Sequence, residues 1–197
     1  MTNIHTISNE TAFDINGRTY SIPYGIKFLS LNASFAAIVA TEIGLTPSLI
    51  QEGLKKYLIL PDRMEMIEKN HRYVLSDCYN ANPLSMKSAI DYWAAYKPNL
   101  PHIAILGDML ELGSESKQFH EEIGEFLKIV ITNSKLDIQS VVTISIGNHS
   151  VDYQCDHHFS NNDGLLNSPL LDSFPLESVV LLKGSRSIRL EKIKGRL

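Results

Sequence analysis

From Tyr73 onward, short apolar runs alternate with amphipathic helical stretches, and this alternation limits the fold more than any other feature of the chain. The runs are Tyr73-Val74-Leu75, His102-Ile103-Ala104-Ile105-Leu106, Val141-Val142-Thr143-Ile144-Ser145-Ile146 and Val179-Val180-Leu181-Leu182. Each is of strand length and offers few polar side chains for a solvated face. Between them, Met86, Ala89, Ile90 and Trp93 recur at helical spacing, as do Phe119, Ile123, Phe126, Leu127 and Val130. Buried strands separated by helices predict an α/β architecture with a mostly parallel sheet flanked by helices. The polar, weakly patterned stretch 161–175 reads as a loop with at most a short helix.

Each run opens into a polar turn. Leu75 leads into Asp77-Cys78-Tyr79-Asn80-Ala81-Asn82-Pro83, where Asn82 is placed to cap the following helix and Pro83 suits its first turn. Leu106 leads into Gly107-Asp108-Met109, and Leu182 into Lys183-Gly184-Ser185-Arg186. Taken singly, such residues most often satisfy nearby backbone groups and nothing more. A parallel sheet, however, brings its carboxyl ends to one edge, where ligands of open α/β sheets bind and where helix N-termini attract anions. The three turns together therefore predict a ligand cleft.

Residues 1–60 follow a different pattern. Phe13-Asp14-Ile15, the Asn16-Gly17 pair and Arg18-Thr19-Tyr20-Ser21-Ile22 predict a hairpin. A helix is predicted over 31–43, with Phe35, Ala36, Val39 and Ile43 on its apolar face and Gly44 closing it. Thr46-Pro47 starts a second helix ending near Tyr57. So short a segment builds little core of its own, so it is expected to lean on other structure.

Composition excludes several classes. The net charge of −4, without a Lys/Arg cluster, argues against a nucleic-acid footprint. The N-terminus Met1-Thr2-Asn3-Ile4-His5 lacks the basic start and apolar stretch of a signal peptide, and no run reaches membrane-spanning length. Cys78 and Cys155 form a poor disulfide framework and read as reduced thiols of a cytoplasmic protein. Cys155-Asp156-His157-His158 invites a metal reading, but an edge strand explains it equally well, and a structural zinc site needs four placed ligands. Cys78 has no basic neighbour in sequence to activate it, so it reads as a packing residue.

The turn motifs carry a resemblance. Asp77-Cys78-Tyr79-Asn80-Ala81-Asn82-Pro83 with Ser85-Met86 comes first. Gly107-Asp108-Met109-Leu110-Glu111-Leu112-Gly113 with Glu115-Ser116 and His120 follows, and then Lys183-Gly184-Ser185-Arg186-Ser187 with Glu191. In that order they resemble the C-terminal domain of the Mur ligase family, nearest the type that adds D-alanyl-D-alanine. The resemblance implies a Rossmann-like C-terminal domain over 63–197 and, over 1–62, a small α+β remnant of the family's central ATP-binding domain. It implies ATP and Mg²⁺ as cofactors, with UDP-N-acetylmuramoyl-tripeptide and D-Ala-D-Ala as substrates joined through an acyl phosphate in peptidoglycan precursor synthesis. It also implies the missing N-terminal and central domains of the same protein as partners.

Residue by residue, the resemblance matches Arg63 to an arginine on the ATP phosphates and Asp77 to the acid that takes the ribose hydroxyls. A guanidinium suits phosphate oxygens and a carboxylate suits a diol. Tyr79, Asn80 and Asn82 are expected along the nucleotide edge, while Asp108, Lys183, Ser185 and Arg186 are expected to meet substrate. His120 is matched too, although a packed histidine is the plain alternative. The departures are large. No phosphate loop of the G-x-x-x-x-G-K-[ST] type occurs, and the magnesium ligands of the central domain are absent. Of the paired asparagines for adenine only Asn32 is kept, with Leu29 in place of the first. No catalytic residue is therefore expected within 1–197, and the chain alone is expected to be inactive. A diamino acid- or glutamate-adding relative, a folate-acting one, and a non-catalytic α/β binding module are the alternatives.

Overall fold

The structure, a computed structural model, describes residues 2–7 and 10–197; Met1, Ser8 and Asn9 lie outside the described residues. The chain divides into two compact units, Met1–Leu58 and Ile59–Leu197. No described helix is long and apolar enough to cross a membrane.

The first unit is a three-stranded antiparallel sheet, β1 (Thr2–Ile7), β2 (Glu10–Ile15) and β3 (Arg18–Ile22), with helices α1 (Leu29–Glu42) and α2 (Pro47–Lys55). The predicted hairpin is β2–β3, and Asn16 and Gly17 both hold the positive φ of a two-residue primed turn. Strand β1 has no counterpart in the sequence reading, because Thr2-Asn3-Ile4-His5-Thr6-Ile7 is mostly polar and its pairing with β2 is interrupted by a bulge. Thr46 caps α2 by accepting from the Leu49 N–H. Helix α1 forms as predicted but buries a different face. Phe35, Val39 and Ile43 are 61%, 59% and 73% exposed, and Ala36 is exposed too. Leu29, Ala33 and Ala37, with Ser30 and Ser34, face inward instead. The helix is apolar almost all round, so periodicity could not choose a side, and the small residues allow the closest approach to the sheet.

The second unit is built on a six-stranded sheet in the order β4-β5-β9-β6-β7-β8. Its strands are β4 (Glu65–Lys69), β5 (Arg72–Asp77), β6 (His102–Gly107), β7 (Val141–Ile146), β8 (His157–Phe159) and β9 (Val179–Lys183). All neighbours run parallel except β4, which folds back on β5 through Asn70 and His71, both at positive φ. The sequence reading missed β4 because Glu65-Met66-Ile67-Glu68-Lys69 is a partly exposed edge with charges, the usual way an edge strand is protected.

Helices α3 (Pro83–Ala95), α4 (Ser116–Asn133), α5 (Asn162–Leu166) and α6 (Glu191–Lys194) complete the unit. Helix α3 starts as predicted: the Asn82 side chain accepts from the Ser85 N–H at 2.8 Å, and Ser85 Oγ accepts from the Asn82 N–H at 3.0 Å. Trp93 is fully buried on α3 and donates to the Val179 carbonyl of β9 at 3.2 Å. Val74, Ile103, Ile105, Ile144, Ile146, Val180 and Leu182 pack with Leu165, Leu171, Phe174, Leu190 and Ile193 in one core cluster. The stretch 161–175 thus has only short helical turns, yet it seats three apolar side chains in that core.

Register fixes where the turns emerge. Asp77 lies opposite Lys183 across β5–β9, Leu106 opposite Lys183 across β9–β6, and Gly107 opposite Ile146 across β6–β7. The loop after β6 is then tied down from both sides. Asp108 is buried; its Oδ2 accepts from the Asn148 N–H at 3.0 Å and its Oδ1 from the His149 and Ser150 N–H groups at 3.1 and 2.6 Å. Gly147, at φ +133, leaves the space this carboxylate fills, since a Cβ there would collide with it. The Asp108 carbonyl accepts from the Ser185 N–H at 2.9 Å, joining the loop after β6 to the loop after β9.

His120 holds the same loop from α4. Its Nε2 accepts from the Met109 N–H at 3.0 Å while Nδ1 donates to the Ser116 carbonyl at 2.6 Å, so the ring is neutral with its proton on Nδ1. It stacks on Tyr153, whose hydroxyl donates to the Gly107 carbonyl at 3.0 Å. Burial lowers the His120 pKa, with the Ser116 carbonyl and the Asp108 charge acting against that shift and His149 with it.

Two outcomes follow from this bracing. Asp108→Ala leaves three N–H groups without their acceptor, that of Ser150 buried, and should cost about 2–3 kcal/mol, read as urea unfolding on the fluorescence of Trp93, the only tryptophan. A loss under about 1 kcal/mol would contradict the bracing. For His120 the folded pKa lies below the ordinary value of 6.5, so the unfolded chain takes up the proton first. Its contribution is complete above pH 6.5 and declines as the pH falls from there towards the lowered folded value. Unfolding of His120→Asn should therefore show a weaker dependence on pH below 6.5 than the parent. Identical slopes would contradict a buried neutral ring.

Candidate functional site

A cleft of about 710 Å³ opens at the carboxyl ends of β5, β9 and β6, lined by Asn80, Leu110, Glu111, Ser185, Arg186, Ser187, Arg189, Glu191 and Lys192. Its polar groups come from three separated loops.

The loop after β5 supplies Asp77 at the strand's last position. Its Oδ1 accepts from the Met64 N–H at 3.0 Å and its Oδ2 pairs with Lys183 Nζ at 3.0 Å. A carboxylate offers about four lone-pair positions, so each oxygen has one beyond these bonds, and the side chain is 13% exposed. Lys183 is only 1% exposed and also donates to the Asn80 carbonyl. Burial lowers its pKa, and the Asp77 carboxylate beside it pushes the other way.

Arg63 and Tyr79 stand next to that acid. The Arg63 guanidinium lies 3.7 Å from the centre of the Tyr79 ring, and that of Arg186 lies 5.9 Å from it. Both arginines are exposed. The turn carrying Arg63 is pinned by Asp62, which holds positive φ and donates its N–H to Glu65 Oε2 at 3.1 Å. Asp62 accepts from Lys194 Nζ at 2.7 Å and Ser76 Oγ at 2.8 Å, and lies 3.4 Å from Arg186 Nη1. Burial pushes the Asp62 carboxyl up, but the Lys194 ammonium and the Ser76 hydroxyl outweigh it and hold it below the usual value.

The structure sorts the sequence-predicted residues. Arg63, Asp77, Tyr79, Asn80, Ser185 and Arg186 are gathered at this edge. Asp108 and Lys183, expected to meet substrate, are here too, but their charged groups are buried and engaged by the partners named above. Asn82 serves as the α3 cap, the Asn80 side chain accepts from the Ala81 N–H at 2.8 Å, and Ser185 Oγ accepts from the Leu110 N–H at 2.9 Å. Asn32 is exposed on α1 of the first unit. Glu111, Arg189, Glu191 and Lys192 line the cleft without having been singled out as binding residues. Glu191 lies 3.8 Å from Arg186, and its Oε2 is buried with no hydrogen-bond partner among the described residues. Arg189 and Glu111 hold positive φ, which their residue types do not signal.

Two other readings resolve into packing. Burial pushes Cys78 up to about 11 and Cys155 up to about 12, so neither is a thiolate nucleophile. Asp156 Oδ2 accepts from the Thr143 N–H and hydroxyl, both at 2.8 Å, and His158 meets Ser145 Oγ at 2.9 Å, so this segment secures β8 to β7. Among the described residues no group of three His, Cys, Asp or Glu side chains is arranged to hold a metal ion.

Comparison with known proteins adds the family. Residues 62–186 match the family described as Mur ligase, glutamate ligase domain. The UDP-N-acetylmuramoyl-tripeptide--D-alanyl-D-alanine ligase of Escherichia coli is 30% identical across 98% of this chain and 42% of its own length. The Bacillus subtilis enzyme of the same name is 28% identical across 93% and 41%. This chain therefore spans less than half the length of these relatives. Among solved structures, MurF from Acinetobacter baumannii superposes with a TM-score of 0.78 at 23% identity, covering 98% of this chain and 43% of its own. MurF ligase from Thermotoga maritima, solved in complex with ADP, gives 0.76 at 22%, covering 99% and 44%. Both share the fold. On the match over 62–186, the chain belongs to the Mur ligase family.

Proposed function

We propose that this chain is the C-terminal part of an ATP-dependent ligase that adds D-Ala-D-Ala to UDP-N-acetylmuramoyl-tripeptide in peptidoglycan precursor synthesis. In this reading residues 1–62 are the tail of a central ATP-binding domain and 63–197 the C-terminal domain, working in the cytoplasm. The observation that carries it is Asp77, anchored at both oxygens with a lone pair left on each, beside a guanidinium stacked on Tyr79. That pairing suits a ribose diol and a polyphosphate.

ATP supplies the phosphoryl group that activates the peptide carboxylate. The residues of this chain bind and orient. Asp77 takes the ribose hydroxyls and Arg63 the phosphate oxygens, with Tyr79 holding the guanidinium flat and Asn80 bordering the nucleotide. The described residues offer no carboxylate set for Mg²⁺, so its ligands belong elsewhere in the protein. The cleft after β9 suits the incoming dipeptide, a zwitterion. Arg186, Arg189 and Lys192 face its carboxylate, and Glu111 faces its amine. The names of the relatives point to D-Ala-D-Ala over glutamate or a diamino acid.

Full-length protein should form the tripeptide–dipeptide bond and release ADP, favouring D-Ala-D-Ala in a panel of amine acceptors. Turnover with glutamate instead would overturn the substrate assignment. Residues 1–197 alone should turn over no ATP under the same conditions. In the full-length enzyme Arg186→Ala should raise the dipeptide KM by roughly ten- to a hundredfold, the worth of a charge-assisted contact, and leave the tripeptide KM unchanged. A normal dipeptide KM would place the dipeptide elsewhere.

A further inference from the structure

We propose that Lys183 is a positioning residue for the nucleotide: an enclosed ammonium that fixes the plane of the Asp77 carboxylate and meets no substrate itself. The inference rests on the reading of Asp77 as the ribose acid and deepens it.

Asp77 and Lys183 end neighbouring parallel strands and are register partners. In-register residues of a parallel pair share a face of the sheet, with strands about 4.8 Å apart. The lysine stem thus runs beside the carboxylate it ends on. Its ammonium meets Asp77 Oδ2 at 3.0 Å and, from the same position, the carbonyl of Asn80, which borders the cleft. The opposite oxygen, Oδ1, is held at 3.0 Å by the Met64 N–H, from the turn that carries Arg63. Anchoring both oxygens removes rotation about the carboxylate's last torsion, so its free lone pairs point one way.

A two-point hydrogen bond to a diol needs a fixed plane, because a misaimed carboxylate reaches one hydroxyl at the expense of the other. Stability alone is a weak reason to keep such a pair. An ion pair with one charge buried and the other 13% exposed gains little over well-packed apolar residues once desolvation is counted. Lys183 ties three elements of the nucleotide edge together: the acid, the Asn80 loop and, through Asp77, the Arg63 turn. Its 1% exposure leaves it no open path to a phosphate or a dipeptide carboxylate.

The test compares ATP with 2′,3′-dideoxy-ATP in the full-length ligase. For the parent enzyme the ratio of the two KM values should be about tenfold or more, the worth of hydroxyl bonds to a charged acceptor. In Lys183→Met the ratio should fall to about twofold, with kcat and the dipeptide KM nearly unchanged. A general structural lesion would lower kcat and leave the ratio alone. A ratio that stays at the parent value in Lys183→Met overturns the inference and leaves the ribose reading intact. A parent ratio near one overturns the ribose reading and the inference with it. Should Lys183→Met not fold, a crystal structure of the parent enzyme with a non-hydrolysable ATP analogue decides the matter. The ammonium must remain on Asp77 with no nucleotide atom in hydrogen-bond reach; a Lys183–phosphate contact overturns the inference.

Discussion

The in-register parallel pairing of β5, β9 and β6 is the constraint on which the second unit depends. It sets Asp77 opposite Lys183 and Lys183 opposite Leu106, so three loops far apart in the chain leave the sheet side by side. A one-residue slip would turn every side chain of a strand to the other face. It would carry Lys183 away from Asp77 and separate the Asp108 carbonyl from the Ser185 N–H. The buried runs make such a slip costly, because Val74, Ile105 and Leu182 would leave the core they now share.

Around that edge the protein divides its polar residues into two layers. Asp108, His120 and Lys183 face inward; the first two answer backbone groups, and Lys183 answers Asp77 and the Asn80 carbonyl. Arg186, Arg189 and Lys192 line the cleft, Arg63 and Tyr79 are exposed beside it, and Asp77 stands between the two layers, each oxygen engaged once and the side chain 13% exposed. The inner layer accounts for charged and polar groups in an otherwise apolar interior, each with a partner that compensates for its desolvation.

Much of this was legible in the chain. The start of α3 followed from Asn82-Pro83, and the apolar runs located β5, β6, β7 and β9. Their alternation with helices gave the parallel sheet, and hence the shared edge. The rest was hidden for physical reasons. Strand β4 is charged and half-exposed, and β1 is mostly polar, so neither shows the apolar signature of a strand. Helix α1 is apolar around its circumference, and its inward face is chosen by the small residues Ala33 and Ala37 rather than by Phe35 or Val39. At the site, sequence could place Asp108 and Lys183 in the right turns but not say which way they point. That depends on backbone N–H groups of residues 148–150 and on a neighbouring strand, both distant in the chain. Glu191 and Arg189 enter the cleft only because the chain turns through a left-handed residue after β9.

The account turns on one carboxylate, Asp77, acting as the contact between this unit and a nucleotide. Titration calorimetry of ATP into full-length protein carrying Asp77→Ala addresses it most directly. The prediction is a loss of ATP affinity of about tenfold or more, with affinity for D-Ala-D-Ala retained. An ATP affinity equal to that of the parent protein would contradict it.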